Sequence, residues 1–200
     1  MRPRKFEEDA VLALAFDSFW RKGVRGTSIA DIARDAGVQR GSLYNAYGSK
    51  EALFLKAYAR YAADYTATIS AALATGTLRD KLDRFFHVAI QNFAEGTPPR
   101  GCPTTRGLME LSAPGEHGLP EEARVVFAEL LKQVEDELAA AFQTGVEAGE
   151  FGGDPRASAE HILAVVRGLV VIDSACQNPD KLHQIARHTI DLLLSAQTGA

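Results

Sequence analysis

Apolar side chains in this 200-residue chain recur at intervals of three and four, the spacing that lines one face of an α-helix, and no alternating run of useful length interrupts them. The clearest stripe lies near the carboxyl end, where Leu182, Ile185, Ala186, Thr189, Ile190, Leu193 and Leu194 stand opposite His183, Arg187 and Asp191. Pro103, Pro120, Pro155 and Pro179 each open such a pattern, as expected at the first turn of a helix, where the missing N–H would have had no partner. The expectation is an all-α chain with helices over 6–21, 29–36, 39–47, about 49–70, 78–94, 103–112, 120–149, 155–177 and 179–196. In the first of these, Val11, Leu14, Ala15 and Phe19 form the expected inner face. Segments 96–101 and 113–119, rich in Pro and Gly, read as loops.

Hydrophobic residues at 46% and charged residues at 24% fit a globular protein and exclude collagen-like, disordered and coiled-coil classes. Two cysteines, Cys102 and Cys176, are too few for a disulfide framework, so a reducing compartment is expected. The basic start is followed by Phe6-Glu7-Glu8-Asp9 rather than an apolar run, so no signal peptide is expected. The longest apolar stretch, Ile162 to Ile172, is broken by Arg167 and Gly168 and falls short of the ~18 residues of a membrane span. The expectation is a soluble cytoplasmic protein with no membrane partner.

The net charge of −4 conceals an asymmetry: residues 1–50 hold nine Lys or Arg against six acids, a head of +3 that leaves −7 for the remainder. A small basic head on an acidic body is the pattern of a polyanion-binding module joined to something else. Within the head, Thr27-Ser28 is a cap pair with Asp31 placed for a capping box, and Ile29, Ile32, Ala33 and Ala36 form one stripe that Gly37 ends. A second short helix follows, with Leu43 inward and polar residues outward. Two short helices joined at Ala36-Gly37-Val38 are a helix-turn-helix signature, in which the second helix enters a major groove about 12 Å wide. Gln39, Arg40, Ser42 and Asn45 then face base edges, Arg suiting guanine and Gln or Asn suiting adenine, while Gly41 permits close approach. Thr27, Tyr44, Tyr47 and Lys50 are expected at phosphates, and Ser28 is counted with them among the DNA-binding residues. The domain expectation is a DNA-binding domain over 1–50, linked by the fourth helix to an effector-binding and dimerisation domain over 51–200.

The run from Thr27 to Tyr47, continuing into Ser49-Lys50-Glu51-Ala52-Leu53-Phe54, resembles the TetR family of bacterial transcriptional regulators. The motif spans roughly the first quarter of the chain. It departs at Ala46, where many members carry a phosphate-contacting histidine. The resemblance implies a homodimer that binds double-stranded palindromic DNA, most often as a repressor, and is released by a small-molecule effector.

In the body, the dimer interface is expected on the last two helices through Ile162, Val166, Leu169, Ile185, Thr189 and Leu193. Phe86, Phe93, Cys102, Met109 and Phe127 are candidate walls of an apolar effector cavity. Cys102 stands before Pro103, an expected helix start, with Arg100 and Arg106 near in sequence. That setting stabilises a thiolate and makes an electrophile- or redox-sensing repressor the alternative. Cys176 is expected to pack. The histidines at 87, 117, 161, 183 and 188 include no i, i+4 pair, and neither a phosphate-binding glycine loop nor a nucleophile elbow is present. No metal, cofactor or enzymatic activity is expected. Rival classes are an enzyme or carrier with an incidental helix-turn-helix, and a DNA-binding protein without effector.

Overall fold

The computed structural model describes residues 5–94, 96, 100–112 and 119–195. Most of the two expected loops lies outside these residues. Among the described residues every regular element is helical: α1 (Lys5–Lys22), α2 (Ile29–Asp35), α3 (Arg40–Tyr47), α4 (Lys50–Leu73), α5 (Leu78–Ala94), α6 (Pro103–Ser112), α7 (Glu122–Glu147), α8 (Pro155–Cys176) and α9 (Pro179–Ser195). The all-α expectation holds, with starts at Pro103, Pro155 and Pro179 as anticipated.

The chain packs as two units, one of residues 1–64 with 103–128, the other of residues 65–102 with 129–200. The packing division therefore differs from a simple cut after residue 50, because the first half of α4, all of α6 and the start of α7 bury their apolar faces with the head.

In the first unit, α1 turns Leu12, Ala15, Ser18 and Phe19 inward, whereas Leu14, assigned to the inner face from spacing, is 40% exposed. Both sets satisfy the three-and-four rule, and the aromatic partners decide between them: Phe16 stacks on Tyr61 at 4.5 Å and Phe19 meets Phe54 edge-on at 5.4 Å. Phe127 is fully buried, edge-on to Tyr58 at 4.7 Å. Its ring lies so close to Gly107 that a Cβ there would come within 2.3 Å of Cζ. Tyr58 and Thr104 hydroxyls bond at 2.7 Å, satisfying two buried polar groups of α4 and α6.

The core of the second unit is built on α5, which buries Leu78, Leu82, Phe85, Phe86, Ala89, Ile90 and Phe93 and packs against α8 and α9. Facing it, α9 contributes Leu182, Ala186, Thr189 and Ile190, and α8 contributes Ile162, Val166, Leu169 and Val170. Asp173 continues the α8 stripe and is only 2% exposed, so burial raises its carboxyl above the ordinary carboxylate range. One turn further on, Cys176 is exposed rather than packed as expected, because the buried stripe has already ended.

Candidate nucleic-acid interface

The helix-turn-helix is held by its own main chain and caps. Ser28 Oγ accepts from the Asp31 amide at 3.1 Å and donates to Asp31 Oδ2 at 2.7 Å, a variant of the capping box in which the carboxylate takes the hydroxyl proton. That bond, aided by Arg34, holds the Asp31 carboxyl below its ordinary range. At the other end of α2, Gly37 sits at φ +65°, Val38 N–H donates to Ala33 O at 2.9 Å and Gly37 N–H to Arg34 O at 3.2 Å. This is the Schellman pairing, which requires the left-handed residue that glycine supplies without strain. It fixes the path by which α3 leaves α2.

Leu43 is the buried residue of α3. Gln39, Arg40, Gly41, Ser42, Tyr44 and Asn45 are all exposed, and Gln39 caps α3 without committing its side-chain amide to the helix. Arg40 lies over the Tyr44 ring at 5.4 Å, which orders both side chains on the outer face. Beside them an open groove of about 510 Å³ is lined by Arg25, Ser28, Arg40, Tyr44, Ser49 and Lys50, with Glu51 the lone carboxylate. Ser49 Oγ accepts from the Ala52 amide at 3.0 Å, capping α4 at the groove's edge. A surface carrying exposed hydrogen-bonding side chains next to a groove with three cations and two capped helix starts suits a polyanion with readable edges.

Two expected phosphate contacts are placed differently. Thr27 is 2% exposed, and its hydroxyl is directed at Gly23 O (2.7 Å) and Ser18 O (3.2 Å), so it braces the turn after α1 while standing in the wall of the same groove. Tyr47 is half-buried under Lys56, whose ammonium lies 5.4 Å from the ring centre and is also paired with Glu8. Burial raises the Tyr47 phenol above its ordinary range, Glu8 adds to the rise and Lys56 opposes it. Arg25 was missed by the sequence reading, although a basic residue just before the Gly26-Thr27-Ser28 start of α2 was a usable signal.

The expected effector residues do not gather in one unit. Phe86, Phe93 and Cys102 belong to the second, where both phenylalanines are core, while Met109 and Phe127 belong to the first. Met109 is 66% exposed because α6 turns Pro103, Thr104 and Gly107 inward, and Phe127 fills the aromatic core of the first unit. Cys102 is buried directly before Pro103, as expected of a cap position. Arg167 of α8 stands beside it, its Nη1 donating to Cys102 Sγ at 3.0 Å. Burial pushes the neighbouring Tyr65 phenol up to about 12, Cys102 adds to that rise and Arg167 opposes it. The signal for Arg167 was its isolation as a charged residue inside an apolar helix.

The expected dimer residues also need correction. Ile162, Val166, Leu169 and Thr189 are buried within the single chain and close its own core against α5. Ile185 and Leu193 are half-exposed, and the outer apolar residues of these helices are Val171 (62% exposed) and Leu192 (57%). Among the described residues no cluster of three or more metal-ligating side chains occurs, and no helix is long and apolar enough to cross a membrane.

Comparison with known proteins bears on this geometry directly. Residues 11–57 match the family described as bacterial regulatory proteins, tetR family, and residues 79–189 match the tetracyclin repressor-like C-terminal domain. The uncharacterised HTH-type transcriptional regulator YezE of Bacillus subtilis is 29% identical over 154 residues, 76% of this chain and 77% of that protein. The HTH-type transcriptional repressor ComR of Escherichia coli is 31% identical over 103 residues, about half of each protein. Among solved structures, the reduced form of E. coli NemR superposes with a TM-score of 0.82 at 22% identity, covering 92% of this chain and 95% of that one. A cysteine mutant of the regulator CifR, complexed with operator DNA, superposes at 0.81 with 24% identity, covering 96% and 100%. The helix-turn-helix geometry of α2 and α3 and the matches over both the head and the helical body agree: the chain belongs to the tetR family of bacterial regulatory proteins, DNA-binding regulators of transcription.

Proposed function

We propose that the protein is a cytoplasmic homodimeric repressor that binds a palindromic operator through one α3 per protomer and is released when a small apolar or electrophilic effector engages its carboxyl-terminal domain. The observation that carries this reading is the outer face of α3, where Gln39, Arg40, Ser42, Tyr44 and Asn45 are exposed beside the groove of Arg25 and Lys50. Two further facts support it. ComR is a repressor, and the CifR complex holds operator DNA. Dimerisation follows from affinity: a head of +3 neutralises few phosphates, and pairing doubles the contacts while reading a two-fold site. The second copy is placed on the outer face of α8 and α9, at Val171, Leu192 and the half-exposed Ile185 and Leu193. The test is selection of a binding site from a random duplex library by the intact protein. A palindrome with half-sites about 34–36 Å apart is the expected result, and recovery of no preferred sequence overturns the reading.

A second reading is favoured by the contact of Arg167 with Cys102. A guanidinium donating to sulfur stabilises the thiolate, the form that attacks an electrophilic carbon with formation of a C–S bond. Alkylation by N-ethylmaleimide is expected to release operator DNA from the wild type and not from Cys102→Ser. Equal release from both excludes Cys102 as the sensor.

A further inference from the structure

Two side chains of α6 reach the turn that launches the helix-turn-helix, and neither lines the groove beside α3. Arg106 Nη1 donates to Trp20 O at 2.9 Å and to Arg21 O at 3.1 Å, carbonyls in the last turn of α1, where a cation is favoured. One turn along α6, Glu110 Oε2 accepts from the Val24 amide at 3.0 Å, and the two side chains pair with each other at 3.7 Å. Gly23 lies between these anchors at φ +74°, and a Cβ there would fall 2.3 Å from Glu110 Oε1. A side chain at Gly23 would displace the carboxylate, and the positive φ there favours glycine. Thr27 braces the same turn from the other side through Gly23 O and Ser18 O, and Ser28 follows as the cap of α2. The apolar contact beneath is incomplete: Phe16, Phe19, Trp20 and Phe54 face Pro103 and Gly107 across a narrow cleft. The polar bonds at its rim tie α6 to the end of α1.

We infer that Arg106 and Glu110 are positioning residues for operator binding: they form a latch by which α6 sets the course of the α1–α2 turn and so the orientation of α2 and α3. The inference rests on the operator-binding reading above.

The test uses the full-length protein, an operator selected by it from a random duplex library, and a scrambled duplex of equal length. Glu110→Ala and Arg106→Ala are expected to lower operator affinity by about tenfold. They are expected to leave the scrambled duplex within about twofold and the salt dependence unchanged, because no phosphate contact is removed. Glu110→Gln, which keeps an acceptor for Val24, is expected to restore most of the affinity. Amide exchange supplies a readout independent of DNA: Val24 exchanges faster in Glu110→Ala and wild-type-like in Glu110→Gln, with Ile32 in α2 unaffected. Operator binding equal to wild type in both alanine variants, or a parallel fall on both duplexes, overturns the inference. So does Val24 exchange that is the same in wild type and Glu110→Ala. Should Glu110→Ala fail to fold, the same comparisons are made with Arg106→Lys, expected to lose operator affinity because an ammonium cannot span both carbonyls as the guanidinium does; wild-type binding by that variant counts against the latch. A library that yields no preferred sequence removes the operator reading, and the inference falls with it.

Discussion

Helices α3 and α5 make opposite use of their sequences. In α5, eight of seventeen residues are buried, and its amphipathic stripe is consumed by packing against α8 and α9. In α3, Leu43 alone is buried, Tyr47 is half-buried, and the remaining residues are left to solvent. A helix of that length has little stability of its own, so α3 depends on Leu43, on the Gly37 turn and on the caps around it. The comparison teaches that the recognition surface is cheap to alter chemically and fragile to alter sterically, while α5 is the reverse.

The largest expected effect is in the body. Phe86→Ala empties a site 1% exposed and is expected to cost about 3–5 kcal/mol, measured by urea unfolding. Leu43→Ala should cost about 2–5 kcal/mol and abolish specific binding. If it leaves operator affinity intact, α3 is held by something other than its single anchor. Arg40→Ala is expected to weaken operator binding by about 1–3 kcal/mol and relax sequence preference with unfolding unchanged, whereas Lys50→Ala should weaken all duplexes alike and reduce the salt slope by about 1. Equal loss on all sequences for Arg40→Ala contradicts base reading.

A smaller effect separates the two units by pH. The buried Asp173 carboxyl has its pKa raised by burial, so the folded state favours the protonated form, and stability falls as pH rises from the unfolded value through the raised folded one. Asp173→Asn should therefore raise the melting temperature at pH 7, with the gain shrinking toward pH 4. A gain that persists at low pH rules out titration as its cause. Ser28→Ala, which removes an exposed cap, should cost about 1 kcal/mol without that pH signature.

The helix order, three of the four proline starts and the helix-turn-helix were legible because each rests on local chemistry: periodicity, a fixed φ, a cap, a glycine in the left-handed region. At Pro120 the start was misplaced, because α7 opens two residues later at Glu122. What covers a stripe was not legible. The apolar row of α9 is identical whether α5 or a second copy lies on it, which is why Thr189 was assigned to an interface and is found in the core. The same ambiguity put Met109 inside, since a methionine on a helix reports neither its neighbours nor its side. Thr27 and Tyr47 were placed by chemistry that suits phosphate equally well as carbonyl oxygen or a lysine side chain. Arg167 escaped because the segment containing Cys102 and α8 lie far apart in sequence, and only the fold joins them.

The chain passes between its two units after residues 64, 102 and 128, the first and last of these inside the continuous helices α4 and α7. Interchangeable heads, the usual goal when regulators are recombined, are therefore not available by exchanging residues 1–50 alone. Such a chimera would set a foreign α1–α2 turn against the native α6, matching the letters of one regulator to the hinge of another. A graft that carries residues 103–128 along with 1–64 transfers the whole packed unit and is the version to build.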